Sequence, residues 1–127
     1  MKNGYDKRKV LVLDDESPIA EMISDFCQLL GFETKIMNNG ENIMNVAKTY
    51  QPDLITLDLI MPEISGLEVL EMLKHDEQTK DIPVIIISSI AGSVSVQDFL
   101  KQCQILAKPV KMDDLKEKIQ LALLPHA

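Results

Sequence analysis

Apolar positions along this chain come in short continuous runs, and between the runs they recur every three or four residues, so strand-like and helix-like patterns alternate. Lys9 to Leu13 (KVLVL) is apolar at almost every position and predicts a strand buried on both faces. Ser17-Pro18 predicts a helix start, with Ser17 as N-cap and Pro18 at the first helical position, where a missing N–H costs nothing. Ile19, Met22, Ile23, Phe26, Leu29 and Leu30 form the apolar stripe of that helix, and Gly31 stops it. Phe32 to Met37 predicts a shorter strand whose charged middle suits a sheet edge. Asn38-Asn39-Gly40 makes a turn, and Glu41 to Tyr50 a weaker helix with Ile43, Met44, Val46 and Ala47 facing inward, closed by Gln51-Pro52.

The pattern then repeats. Asp53 to Asp58 is a third strand, broken by one acid at its end, and a loop through Met61-Pro62 leads to Ser65 and Glu68, which have capping-box spacing. Leu67, Leu70, Met72 and Leu73 give the next helix its apolar side. Val84 to Ile87 is the most β-branched run and predicts a central strand ending at Ser88-Ser89. Ile90 to Ser95 reads as a small-residue loop, and Val96, Phe99, Leu100 and Cys103 face inward from a short helix. Gln104 to Ala107 is a brief last strand, followed by Lys108-Pro109 and by a helix opened by Asp113, Asp114 and Leu115 that ends near Leu124. Repeated β-α units with short connections imply an α/β fold, a doubly wound five-stranded parallel sheet covered on both faces. The expected organisation is a flexible segment over 1–8, one domain over 9–124 and a short tail over 125–127.

Bulk properties narrow the function without naming it. A length of 127 residues fits one domain with its own core. No apolar run is long enough to span a bilayer and no secretory signal is visible, so a cytoplasmic protein with no membrane partner is expected. A net charge of −7 argues against direct nucleic-acid binding through phosphates. Cys27 and Cys103 lack metal-ligand or redox spacing and predict free thiols, while His75 and His126 are isolated. Met22, Met44, Met72 and Met112 recur at helical spacing and predict core filler.

The strand ends change this picture. Asp14-Asp15 follow the first strand, Asp58 the third, Ser88 the fourth and Lys108 the fifth, and in a parallel sheet these ends share one edge. Taken singly, Asp58 is equally a turn acid, Asp14 and Asp15 helix caps, Glu16 a solvated acid, Ser88 a strand-end hydroxyl and Lys108 a surface lysine. Together they put carboxylates within reach of one another, and pairs about 4 Å apart repel by roughly 4 kcal/mol at an effective dielectric near 20. A hard cation such as Mg²⁺, with Lys108 completing the balance, suits such a cluster. The chemistry this allows is phosphoryl transfer onto a carboxylate, forming an aspartyl phosphate.

With these residues in view, the chain resembles the receiver domain of two-component response regulators. The segments VLVLDDES, LDLIMPEISGLEVL, IPVIIISS and AKP carry the resemblance, in order and over nearly the whole length. It implies a (βα)5 flavodoxin-like receiver fold. It also implies that Asp58 accepts a phosphoryl group from a phosphohistidine on a histidine kinase or histidine phosphotransfer protein, and that phosphorylation switches binding of a downstream protein, with homodimerisation one form of that switch. Asp15 would bind Mg²⁺ directly and Asp14 through water, with the backbone carbonyl of Ile60 and Asp58 as further ligands. Ser88 would hydrogen-bond a phosphoryl oxygen, Lys108 would pair with the phosphate, and Pro109 would follow a cis bond. No enzymatic activity beyond self-phosphorylation and self-dephosphorylation is implied.

Several positions depart from the family pattern. An aromatic residue is usual three positions before the lysine, where Ile105 stands, and Val110 and Lys111 replace the usual aromatic and N-cap acid after Pro109. The segment from Ser88 to Lys108 is about two residues short, by the family's loop lengths. These departures bear on output through the last elements. Ile60 and Ile90 are apolar where the family influences the attacking water, which predicts slow self-dephosphorylation. Rival readings are a phosphotransfer enzyme on the same fold, which would want a second acid at Ile60, a flavin module, which would want a phosphate-cradling loop in place of Asp14-Asp15-Glu16, and a scaffold-type receiver with atypical output.

Overall fold

Each apolar run forms a strand of one parallel sheet in the computed structural model, which describes residues 8–89 and 103–124. The strands are β1 (Lys9–Leu13), β2 (Glu33–Met37), β3 (Leu54–Leu57), β4 (Val84–Ser88) and β5 (Gln104–Ala107). Their order is β2-β1-β3-β4-β5, so the charged β2 lies at an edge and the β-branched β4 lies inside the sheet, as their compositions predict. Four helices stand among the described residues: α1 (Ser17–Leu29), α2 (Ile43–Tyr50), α3 (Gly66–Lys74) and α4 (Met112–Ala122). The expected loop from Ile90, the helix carrying Val96, Phe99 and Leu100, and the ends at 1–7 and 125–127 lie outside the described residues.

Side chains alternate along the strands into two cores, one on each face of the sheet. Leu11, Leu13, Ile55, Leu57 and Ile86 pack with Ile43 and Ala47 of α2 and Val69, Leu70 and Leu73 of α3. Val10, Val12, Leu54, Ile85 and Ile87 pack on the other face with Ala20, Ile23 and Cys27 of α1 and Leu115 and Ile119 of α4. The arrangement is therefore a doubly wound α/β sandwich, with helices on both faces of a parallel sheet. Each fully buried Leu or Ile contributes about 1.5–3 kcal/mol, and eleven such large side chains among the described residues pack the sheet and its helices together. No helix among the described residues is long and apolar enough to cross a membrane.

Three details differ from expectation. The N-cap of α1 is Glu16, not Ser17, which lies inside the helix with Pro18. Asp14 Oδ1 accepts a hydrogen bond from the Glu16 N–H at 2.9 Å and so fixes the turn that leads into the helix. Of the expected α1 stripe, Ile19, Met22, Ile23, Phe26 and Leu30 pack on the core and Leu29 is exposed, while the most deeply buried line runs through Ala20, Ile23, Ser24 and Cys27. Small residues let the helix lie close on the sheet, and Ser24 meets Thr34 of β2 at 2.7 Å. In α3, Val69 takes the inward place and Met72 stays exposed. The end of α1 follows the expected chemistry: Gly31 has φ 104°, and the Phe32 N–H donates to the Cys27 carbonyl at 3.0 Å.

Candidate acidic site at the carboxyl edge of the sheet

Backbone hydrogen bonds carry the ladder one residue past the strands and so fix the site. The Asp14 N–H donates to Met37 O at 3.0 Å, the Asp58 N–H to Leu13 O at 3.0 Å and the Lys108 N–H to Ser88 O at 3.3 Å. Asp14, Asp58, Ser88 and Lys108 are thereby anchored at the same edge, as the parallel order requires. Asp14, Asp58 and Ser88 are buried, Asp15 is half-buried and Glu16 is exposed. Carboxylate oxygens of Asp14, Asp15, Glu16 and Asp58 all come within 4.8 Å of one another.

Lys108 supplies the counter-charge. Its Nζ lies 2.9 Å from Glu16 Oε1, 3.1 Å from Asp14 Oδ2 and 3.4 Å from Asp58 Oδ2. Burial opposes its charge, but the hydrogen bond to Glu16 and the close carboxylates of Asp14 and Asp58 raise its pKa, so it stays an ammonium. Asp58 shifts the other way for an acid. Burial first, then the charge of Asp14, push its pKa up to about 6, against the lowering influence of Lys108 and of the Ile60 N–H, which donates to Asp58 Oδ1 at 3.3 Å. The Lys108-Pro109 peptide is cis.

This donor set fits a hard divalent cation. All four acids offer oxygen, and Asp14 Oδ2 is buried and aligned with no hydrogen-bond donor among the described residues, although Lys108 is near it as a charge. A buried anionic oxygen without an aligned donor costs free energy that a cation would recover. Asp14, Asp15 and Asp58 are placed to hold such an ion, and Ile60 sits in the adjoining loop, half of its surface exposed.

Neighbouring loops hold the site in shape. Asn38, expected only as a turn residue, donates from Nδ2 to the Asp14 carbonyl at 3.0 Å and ties the loop after β2 to the site. Gly66 opens α3 against the loop after β3. Its N–H donates to Leu59 O at 2.8 Å, and a Cβ there would collide with the Asp58 carbonyl and lie 2.6 Å from Leu59 Cα. Ser65 accepts from the Glu68 N–H at 3.3 Å, the forward half of the expected capping box. Glu16 is the residue that the sequence undervalues: read there as a solvated acid, it makes the shortest contact with Lys108. The available signal was the third acid in a row after a strand end. Ile105 is half-buried against the α2 and α3 core, and Ile90 lies outside the described residues.

Comparison with known proteins agrees with this geometry. The family model described as the response regulator receiver domain matches residues 10–120. The chain is similar to the polar-differentiation response regulator DivK of Brucella anthropi, 34% identical over 84 residues, covering 66% of this chain and 68% of DivK. It is also similar to the phosphate regulon transcriptional regulatory protein PhoB of Pseudomonas aeruginosa, 39% identical over 82 residues, covering 65% of this chain and 36% of PhoB. With the DNA-binding dual master transcriptional regulator RpaA of Synechocystis it shares 29% identity over 118 residues, 91% of this chain and 48% of RpaA. The chain thus spans half or less of these two transcriptional regulators. Among solved structures, chemotaxis protein CheY4 of Vibrio cholerae aligns with a TM-score of 0.85 at 26% identity, covering 92% of this chain and 99% of CheY4. A response regulator from Desulfuromonas acetoxidans aligns with a TM-score of 0.80 at 28% identity, covering 91% and 96% of the two chains.

Proposed function

The chain belongs to the response regulator receiver domain family, and from that membership we propose that it is a phosphorylatable switch of a two-component phosphorelay in which Asp58 is the phosphoacceptor. The observation that carries this reading is the sharing of one ammonium, Lys108, between Asp58 and Asp14 at the end of the sheet. A carboxylate so placed has a neighbouring positive charge ready for the oxygens of an incoming phosphoryl group. An Asp58 oxygen attacks phosphorus as the P–N bond of a phosphohistidine breaks, and the histidine of the kinase or phosphotransfer protein leaves.

The residues of this chain divide the work. Lys108 neutralises charge on the phosphoryl oxygens, and Ser88, buried at the end of β4, is the hydroxyl assigned to one of them. The Ile60 N–H, already directed at Asp58 Oδ1, orients the carboxylate. Asp14, Asp15 and Asp58, with the Ile60 carbonyl, would hold Mg²⁺, which supplies further neutralisation of the transferring group. The protein then acts by changing its preference for a downstream protein, with no turnover beyond its own phosphorylation and dephosphorylation. Two free cysteines suit a reducing cytoplasm.

Incubation with acetyl phosphate and Mg²⁺, followed by intact mass, tests the reading. Wild type gains one phosphoryl mass, and Asp58→Ala gains none. The same spectra followed after donor removal give a long lifetime, because Ile60 offers no side chain to orient water. Equal labelling of both proteins, or of neither, refutes Asp58 as the acceptor.

A further inference from the structure

Phosphoryl transfer accounts for Lys108 beside Asp58, but not for its shortest contact, which is with Glu16. Asp14 and Asp58 are inner partners, with side chains 2% and 4% exposed, whereas the Glu16 side chain is 58% exposed at the rim. The backbone of Glu16 is held in place, since its N–H donates to Asp14 Oδ1 at 2.9 Å and it caps α1. A divalent cation drawn to the oxygens of Asp14 and Asp58 must displace the ammonium from them, because like charges a few ångströms apart repel strongly. Glu16 is the one of the three partners at the solvent-facing rim, its carboxylate still within 4.8 Å of theirs.

We propose that Glu16 is a positioning residue for Lys108: it gives the ammonium a place to withdraw to when a divalent cation enters, and keeps it within reach of Asp58 for the phosphoryl oxygens. The inference rests on the cation-dependent reading of the site. Without Glu16 the ammonium keeps, among the described residues, Asp14 and Asp58 as its ion-pair partners, and it competes with the cation for both. Glu16 also adds negative charge to the site directly, and this simpler effect would strengthen cation binding whether or not Lys108 is present.

A double-mutant cycle separates the two effects. Mg²⁺ affinity is measured calorimetrically on the full chain for wild type, Glu16→Gln, Lys108→Met and the double variant. Loss of an outer partner of a metal site weakens binding by about tenfold or more, so Glu16→Gln is expected to do so in the wild-type background and to have less than about a twofold effect beside Lys108→Met. The side-chain nitrogen resonance of Lys108 gives a second reading, independent of affinity. In Mg²⁺-saturated wild type its protons are protected from exchange with water, and in Glu16→Gln they lose that protection. An equal loss of affinity in both backgrounds, or an ammonium unchanged by Glu16→Gln, overturns the positioning role and leaves Asp58 as acceptor untouched. Absence of Mg²⁺ binding in every variant overturns the cation-dependent reading and this inference with it.

Discussion

As the proposed phosphoacceptor, Asp58 is asked to do two opposed things: to lie buried beside another carboxylate and to be ionised enough to attack. Its pKa rises from 3.8 to about 6, chiefly through burial. The folded protein therefore holds this proton more tightly than the unfolded chain does. The stability it contributes is full below about pH 4 and is lost as the pH rises through about 6. In chelator, Asp58→Asn should raise the unfolding free energy at pH 7.5 by roughly 1–3 kcal/mol and by almost nothing at pH 3.5. Urea denaturation at the two pH values checks this, and an equal gain at both contradicts it. Single residues were legible where they interrupted a pattern. Asp14 and Asp58 break apolar runs and stand out, whereas Glu16 pairs with a lysine 92 residues away and shows locally only as the third acid in a row.

Elements were easier to read than their orientation. Strands announce themselves by unbroken apolar runs, and all five lie where those runs fall. Helix faces depend on how closely each helix can approach the sheet. In α1 the close approach at Ala20, Ser24 and Cys27 turns Leu29 outward, and hydrophobicity alone does not show this. Caps are similarly contextual: Glu16 takes the N-cap position that the local spacing assigned to Ser17, its N–H held by Asp14 at the preceding strand end. Gly66 joins element to site, because the first turn of α3 rests on the backbone of Asp58 and Leu59. Gly66→Ala adds a methyl group that neither backbone can yield to without moving. A cost of about 1–3 kcal/mol in denaturant unfolding is expected, together with slower phosphorylation of Asp58 from acetyl phosphate. Wild-type rate and stability in this variant would show that the loop and α3 are not rigidly coupled.

For the molecule as a whole, folding is what creates the cluster. Asp14 and Asp58 follow different strands and meet through the pairing of β1 with β3, so the unfolded chain has no comparable site for a cation. Binding to the native state alone stabilises it by about 2.7 kcal/mol at a ligand concentration one hundred times Kd. Unfolding free energies from urea titrations with Mg²⁺ at one hundred times Kd and with chelator should therefore differ by that amount in wild type, and should coincide in Asp14→Asn and Asp58→Asn. A persistent shift in those variants would place the cation elsewhere. The chain order also distributes charge unevenly between its two ends. All four acids of the cluster precede α3, while the lysine that balances them follows β4. A chain interrupted between α3 and β4 would leave one piece with the anions and the other with the cation. The lysine's partial offset of the acids at this edge belongs only to the reunited pieces, which makes the cluster a built-in reporter of their reassembly.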